Sequence, residues 1–134
     1  MKNESITVHF HGHIEAEALN DLFKSATLFV CPSLYEGWGV VLNHALHYGL
    51  PILALNSVRS AEGYLVNDRV NGKISTLDSF KDDLLKMIDS DLSAMSHNSF
   101  KLNEQWRLGT ARQRFVKIVQ CNKQFTTGVF SEAI

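Results

Sequence analysis

The chain of 134 residues has only two cysteines and no long apolar run. Cys31 and Cys121 are isolated and form no CxxC pair, so their spacing supports neither a disulfide framework nor a zinc site. We expect both to be reduced, and Cys31 to be a small core residue. No apolar run approaches the roughly 20 residues that cross a bilayer, and the opening MKNESITVHF lacks the apolar segment of a signal peptide. We therefore expect no transmembrane segment and a cytoplasmic location.

The chain also has no large excess of positive or negative charge. The formal net charge is -1, and the 13 Lys and Arg residues are scattered along the chain, which gives no electrostatic footprint for nucleic acid. No GxGxxG follows the first apolar run, and no GxSxG elbow is present, so an NAD site and a hydrolase nucleophile lack their sequence signatures. Hydrophobic residues make up 45% of the chain, enough for the core of one globular domain.

Short apolar runs alternate with helical patterns through the first half. The pattern predicts strands at 7–10, 28–31 and 52–55, separated by helices at 14–25 and 39–47. The runs LFVC and ILAL are apolar at every position, as expected for parallel strands covered on both faces. One apolar stripe on the first predicted helix supports this: Ile14, Ala18, Leu19, Leu22, Phe23 and Ala26. We expect an α/β fold with a layered parallel sheet.

The second half predicts one more strand and then helices only. The pair Asn71-Gly72 tolerates positive φ and predicts a tight turn into a short strand at 73–75. Helical patterns follow at 79–89, 92–104 and 110–121, and the last residues have no pattern.

The stretch YEGWGVVLNHA, residues 35–45, follows a predicted buried strand and opens a predicted helix. Ligands bind at the carboxyl ends of strands in open α/β sheets, and a helix N-terminus offers unpaired N–H groups to an anion. Gly37 and Gly39 remove side chains there, and Glu36 can accept hydrogen bonds from hydroxyl groups. This combination fits a nucleotide sugar. The same residues are also compatible with a plain strand-to-helix turn that carries a solvated acid.

Five motifs occur in a fixed order: Gly12, Pro32-Ser33, EGWG at 36–39, GLP at 49–51 and Asn71-Gly72. This series resembles the C-terminal donor-binding domain of retaining glycosyltransferases of family 4, which have two Rossmann-like domains of the GT-B type. The resemblance runs from about Val8 to Ile74 and more loosely to Cys121. It implies a partial Rossmann-like parallel sheet flanked by helices, a domain over 1–121 and a tail over 122–134.

The resemblance also implies a reaction and a site. A sugar would pass from a UDP- or GDP-linked nucleotide diphosphate sugar to a hydroxyl acceptor, with retention of configuration and with no metal or other cofactor. Glu36 matches the glutamate that contacts the donor sugar near the reacting carbon, so it is the expected catalytic residue. Gly37, Trp38 and Gly39 match the loop whose amides face the sugar and the diphosphate. His44 stands where the family has a second glutamate, which holds the ribose hydroxyls.

Three features depart from the family pattern. The neutral imidazole of His44 offers one donor and one acceptor instead of a carboxylate, so we expect weakened or altered nucleotide binding. Arg69 stands where the family usually has Gly. The family's basic pair for the diphosphate and its acceptor-binding N-terminal domain have no counterpart here, so we expect a C-terminal fragment of such an enzyme.

Two functional hypotheses therefore remain open. The first is glycosyl transfer. The second is a non-catalytic remnant that binds a nucleotide weakly or acts as an interaction module, by self-association through a free sheet edge or by pairing with a missing N-terminal half. His44 is also compatible with an exposed helix histidine that has no ligand. His9, His11 and His13 alternate as metal ligands can, but Gly12 breaks the strand, and ordinary surface histidines are the simpler interpretation.

Overall fold

The two fully apolar runs form neighbouring strands of a parallel sheet. The computed structural model describes residues 7–107, 112–113 and 116–117. Strand β1 spans Phe29–Cys31, β2 spans Ile52–Leu55 and β3 spans Gly72–Ser75, in the order β1-β2-β3. Both pairings are parallel, with Phe29 opposite Ile52 and Leu53 opposite Lys73. Every residue of β2 is buried because this strand lies in the middle of the sheet.

Four helices complete the elements named within the described residues. They are α1 at Ala16–Ser25, α2 at Val40–His47, α3 at Phe80–Ile88 and α4 at Ser93–Trp106. The α/β class and these four predicted helices are confirmed, with bounds that differ by one or two residues. The predicted helix at 110–121 lies mostly outside the described residues. No helix in the described part of the chain has the length and apolarity needed to cross a membrane.

Helix α2 ends in a glycine turn that leads directly into β2. Gly49 has φ +68°, and its N–H donates to the carbonyl of Leu46, while Leu50 N–H donates to the carbonyl of Ala45. These two bonds form a Schellman motif, which requires the left-handed conformation that glycine adopts without strain. The GLP motif therefore has a local structural reason.

Helix α4 packs against this turn through hydroxyl groups. Ser96 Oγ donates to the carbonyl of Gly49 at 2.7 Å, and Ser99 Oγ donates to the carbonyl of Leu50 at 2.8 Å. The ring of Phe100 occupies the space beside Gly49 so closely that a Cβ there would lie 2.1 Å from it. The start of β2 is thus held from two sides, by α2 and by α4.

The predicted strand at 7–10 is wrong. These residues have no regular structure and are exposed, with Phe10 95% exposed, and β1 forms its ladder with β2 alone. A strand exists only where a neighbour accepts its backbone hydrogen bonds, and among the described residues nothing pairs with the free edge of β1. Alternation of Val8 and Phe10 with histidines could not reveal this.

The apolar stripe predicted for the first helix, α1, is only partly buried. Phe23 is buried and stacks on Phe29 and Tyr48, with ring centroids 5.7 and 5.5 Å apart. Leu19 is half-buried, whereas Leu22 is 37% exposed. The helix is therefore amphipathic as predicted, but a single aromatic side chain provides most of its attachment.

The turn before β3 forms as predicted but by a different mechanism. Positive φ falls on Arg69, at +63°, and not on Asn71 or Gly72. Gly72 is needed for close approach, because a Cβ there would lie 2.1 Å from the carbonyl oxygen of Ile52. Asn71 is buried, accepts from Asn67 N–H at 2.7 Å and donates to the carbonyl of Leu65 at 3.0 Å. Its side chain, and not its backbone freedom, organises the turn.

Candidate functional site

The loop that carries the EGWG motif lies at the carboxyl end of the sheet. It connects the end of β1 to the start of α2, and Glu36 forms an isolated parallel bridge with Val58, which follows the end of β2. Ser57 Oγ also donates to the carbonyl of Ser33 at 2.9 Å. The two loops are therefore joined at the edge where open α/β sheets bind their ligands.

Gly39 is the residue immediately before α2, and its conformation requires glycine. Its φ is +69°, and a Cβ would lie 3.1 Å from Glu36 Cγ and 3.3 Å from both Leu42 Cδ1 and Ser60 Oγ. A side chain here would be strained and crowded. Gly37 is different, since it is exposed and a Cβ would meet nothing within 4 Å. Packing therefore explains Gly39, while the absence of a side chain at Gly37 leaves open space in front of the loop.

Glu36 is half-buried, and its carboxylate forms no hydrogen bond or ion pair among the described residues. The first turn of α2 contains no acidic residue. The N-terminal amides of α2 consequently face no carboxylate from their own helix, and Glu36 stays available as an acceptor beside them.

Trp38 takes part in an aromatic cluster that the motif did not predict. Its indole Nε1 donates to Asn43 Oδ1 at 3.3 Å, which ties the loop to α2. Its ring centroid lies 5.6 Å from that of Tyr64 and 5.9 Å from that of Trp106, at the end of α4. Trp38 remains 43% exposed. The loop that carries Glu36 is thus braced from the side by two distant parts of the chain.

His44 lies on α2 with an exposed side chain, and its ring contacts Phe23 of α1 edge-on at 6.1 Å. No hydrogen bond joins it to the loop of Glu36 in the described part of the chain. The structure therefore brings Glu36, Trp38 and Gly39 together and places His44 one turn along the same helix, toward α1.

Ser60, which the sequence did not indicate as a site residue, is fully buried in the turn after β2. Its hydroxyl lies beside Gly39 and has no hydrogen-bond partner in the described structure. A serine in a polar loop gives no sequence signal of burial. The adjoining Arg59 is exposed and forms no ion pair among the described residues.

A cavity of about 740 Å³ lies at the opposite, amino-terminal end of the strands, lined in part by Pro51, Asp91 and Ser93. Asp91 accepts hydrogen bonds from the hydroxyl and the N–H of Ser93, and these bonds hold the pKa of the Asp91 carboxyl below its usual value. The start of α4 thus already has a carboxylate. That carboxylate already accepts from the Ser93 N–H, which is then not available to an anion, so this cavity is a poorer candidate than the loop before α2.

Metal ligands do not converge in the described part of the chain, where no group of three His, Cys, Asp or Glu side chains could hold an ion. His9 and His11 lie near each other, with ring centroids 6.3 Å apart. Cys31 is buried, as predicted for a small core residue, and Cys121 lies outside the described residues.

Comparison with known proteins assigns the chain to a family. No curated protein gives a significant match to the chain. The family model for group 1 glycosyl transferases matches residues 2–106, a region that contains the whole described sheet and the EGWG loop. Because this match covers more than half of the chain, the protein belongs to the group 1 glycosyltransferase family.

Proposed function

We propose that this chain is the donor-binding part of a retaining glycosyltransferase of family 4, with the GT-B arrangement of two domains. The observation that carries the proposal is the loop before α2, where a helix N-terminus free of its own acids lies beside the Glu36 carboxylate, which has no partner within the described residues. The N-terminal amides suit a diphosphate, and the carboxylate suits sugar hydroxyls. Together they fit a nucleotide diphosphate sugar.

In this proposal Glu36 orients the donor sugar while fixed donors at the start of α2 stabilise the leaving diphosphate. Gly37 leaves room for the ligand, Gly39 lets its backbone approach, and Trp38 braces the loop. His44 would contact the ribose with a single hydrogen bond. We assign the donor-binding unit to 1–121, followed by a tail at 122–134 that lies outside the described residues. A cytoplasmic location stays a prediction.

A non-catalytic role is the second candidate, and the position of His44 favours it. Its ring contacts the apolar edge of Phe23, a contact that needs no ligand. In that case the domain would bind nucleotide weakly, or it would self-associate or pair with a separate N-terminal half through the free edge of β1.

The test is isothermal titration of the chain with UDP, GDP and UDP-glucose at low salt. Glu36→Gln should weaken UDP-glucose binding about tenfold and leave UDP binding unchanged, because a charged acceptor becomes neutral only where the sugar lies. Glu17→Gln, an exposed acid in the first turn of α1, is the matched control. Equal loss for both ligands would contradict the role of Glu36, and absence of binding to all three would favour the non-catalytic candidate.

A further inference from the structure

Ser60 has an unsatisfied hydroxyl in the interior of the protein. The residue is fully buried, and Ser60 Oγ has no hydrogen-bond partner among the described residues. Its backbone is ordinary, since its carbonyl accepts from Leu65 N–H at 2.9 Å. A buried polar atom without a partner costs stability, so native proteins retain one where another purpose is served.

Other buried serines in the described structure are satisfied. Ser99 Oγ donates to the carbonyl of Leu50 at 2.8 Å, and Ser75 Oγ donates to Asp83 Oδ2 at 2.7 Å. Both have structural roles in joining elements. Ser60 has no such role, which separates it from serines that are buried simply to connect parts of the fold.

The position of the hydroxyl is informative. It lies against Gly39, where a Cβ would be only 3.3 Å from Ser60 Oγ, and Gly39 is the residue immediately before α2. The side chain of Glu36 occupies the same small space, with its Cγ 3.1 Å from that Cβ position. A donor without an acceptor therefore lies next to the helix N-terminus and the candidate carboxylate.

We propose that Ser60 Oγ–H is a donor to a phosphate oxygen of the ligand bound before α2. The inference rests on the proposed function, because it assigns one more residue to the same site. The ligand supplies the acceptor that the described part of the chain does not. Gly39 has no side chain to block the approach, and the proposal requires the half-buried Glu36 side chain, which has no partner among the described residues, to turn toward the sugar and so uncover the hydroxyl.

A serine retained for a ligand and a serine retained for the fold behave oppositely when replaced by alanine. Ser60→Ala removes an unsatisfied group, so the ligand-free protein should keep or gain stability in urea denaturation. The same variant should bind UDP and GDP about tenfold more weakly, and inorganic phosphate correspondingly more weakly. Ser60→Cys keeps a weak donor and should fall between the two. Ser99→Ala, the matched control, should lose stability and retain nucleotide affinity.

The outcomes separate the two proposals. If the unmodified chain binds UDP or GDP and Ser60→Ala binds equally well, the role of Ser60 is refuted while the donor site stands. A large loss of stability in ligand-free Ser60→Ala would also refute it, since the hydroxyl would then have a structural partner. If the unmodified chain binds neither nucleotide, the proposed function fails and the inference fails with it.

Discussion

The segment before β1 has regular secondary structure but few buried side chains, whereas the segment after β2 is irregular and contains many buried side chains. Residues 7–26 contain a regular helix, yet Phe23 is the only buried residue of α1. Residues 56–71 contain no helix or strand of their own, yet several of their side chains are fully buried: Val58, Ser60, Ala61, Leu65, Val66 and Asn71. Regular backbone structure and tertiary anchorage are therefore separate properties.

Hydrogen bonding explains why the irregular segment is the better anchored. The buried side chain of Asn71 satisfies the N–H of Asn67 and the carbonyl of Leu65, and its own carbonyl accepts from Ile52 N–H at 3.2 Å. Glu36 and Val58 add a bridge from the site loop. The segment thus connects the candidate site to the centre of the sheet, and α1 remains at its periphery.

The largest expected effect comes from Gly72→Ala, which would break the anchored segment where it enters β3. The new Cβ would lie 2.1 Å from the backbone oxygen of Ile52, which cannot move without disrupting the central strand. We expect a loss of about 3 kcal/mol or more in the free energy of unfolding, measured by urea denaturation.

Gly37→Ala provides the control for that change, since a Cβ there meets nothing within 4 Å. It should alter stability by less than about 0.5 kcal/mol. Similar losses for both glycine variants would show that contact with β2 does not determine the cost.

Phe23→Ala tests the less well anchored of the two segments, residues 7–26. Its ring contacts Phe29 and Tyr48, so its removal should cost about 2–3 kcal/mol, below the cost for a side chain deep in a core because α1 can detach locally. Hydrogen exchange should become fast in α1 and stay slow in β2. Leu22→Ala, at an exposed position of the same helix, should have much less effect on stability. Equally fast hydrogen exchange in α1 and β2 of Phe23→Ala would contradict local detachment of α1.

The sequence predicted the elements whose pattern lies within a short window, and it failed where an element depends on a distant neighbour. The runs at β1 and β2 and the helix between them were predictable because every position is apolar or periodic within a short window. The strand at 7–10 failed because a strand depends on a neighbour that a local window does not contain. The EGWG loop was recognisable, and Gly39 proved to need its glycine.

Other parts of the site depended on contacts between distant residues. The approach of Trp106 to Trp38 joins the end of α4 to the site loop, and neither residue's local pattern indicates it. Ser60 is a polar residue in a polar loop, so only the folded chain shows that it is buried and that its hydroxyl has no partner in the part of the chain that the structure describes. The roles of Glu36 and His44 toward a ligand remain predictions.

A moderate effect is expected at α3, which joins the sheet through a polar contact. Ser75 Oγ donates to Asp83 at 2.7 Å, and this bond, helped by nearby Lys73, holds the pKa of the Asp83 carboxyl below its ordinary value of 3.8. The unfolded chain then binds the proton more readily, so this stabilisation is complete above that ordinary value and is lost as the pH falls through the lower folded pKa.

Asp83→Asn should therefore cost about 1–2 kcal/mol at neutral pH and flatten the fall in stability below about pH 4, as followed by urea denaturation across pH. A double-mutant cycle with Ser75→Ala should show that the two changes are not additive. Additive losses would mean that the hydroxyl and the carboxylate act independently.

Apart from the control variants, the smallest effect is expected at Arg69 in the well-anchored segment, and it is a gain in stability. Its φ of +63° costs a residue with a side chain roughly 1–2 kcal/mol of stability. Its ion pair with Asp68, at 3.8 Å on the surface, contributes little stability in compensation. Arg69→Gly relieves the strain but adds freedom to the unfolded chain, so we expect a net gain of about 0.5 kcal/mol in urea denaturation. Arg69→Ala removes the charge and keeps the strain, so it should give no gain. If alanine stabilised the protein as much as glycine, the charge and not the backbone would be the source, and the positive φ of Arg69 would carry no conformational cost.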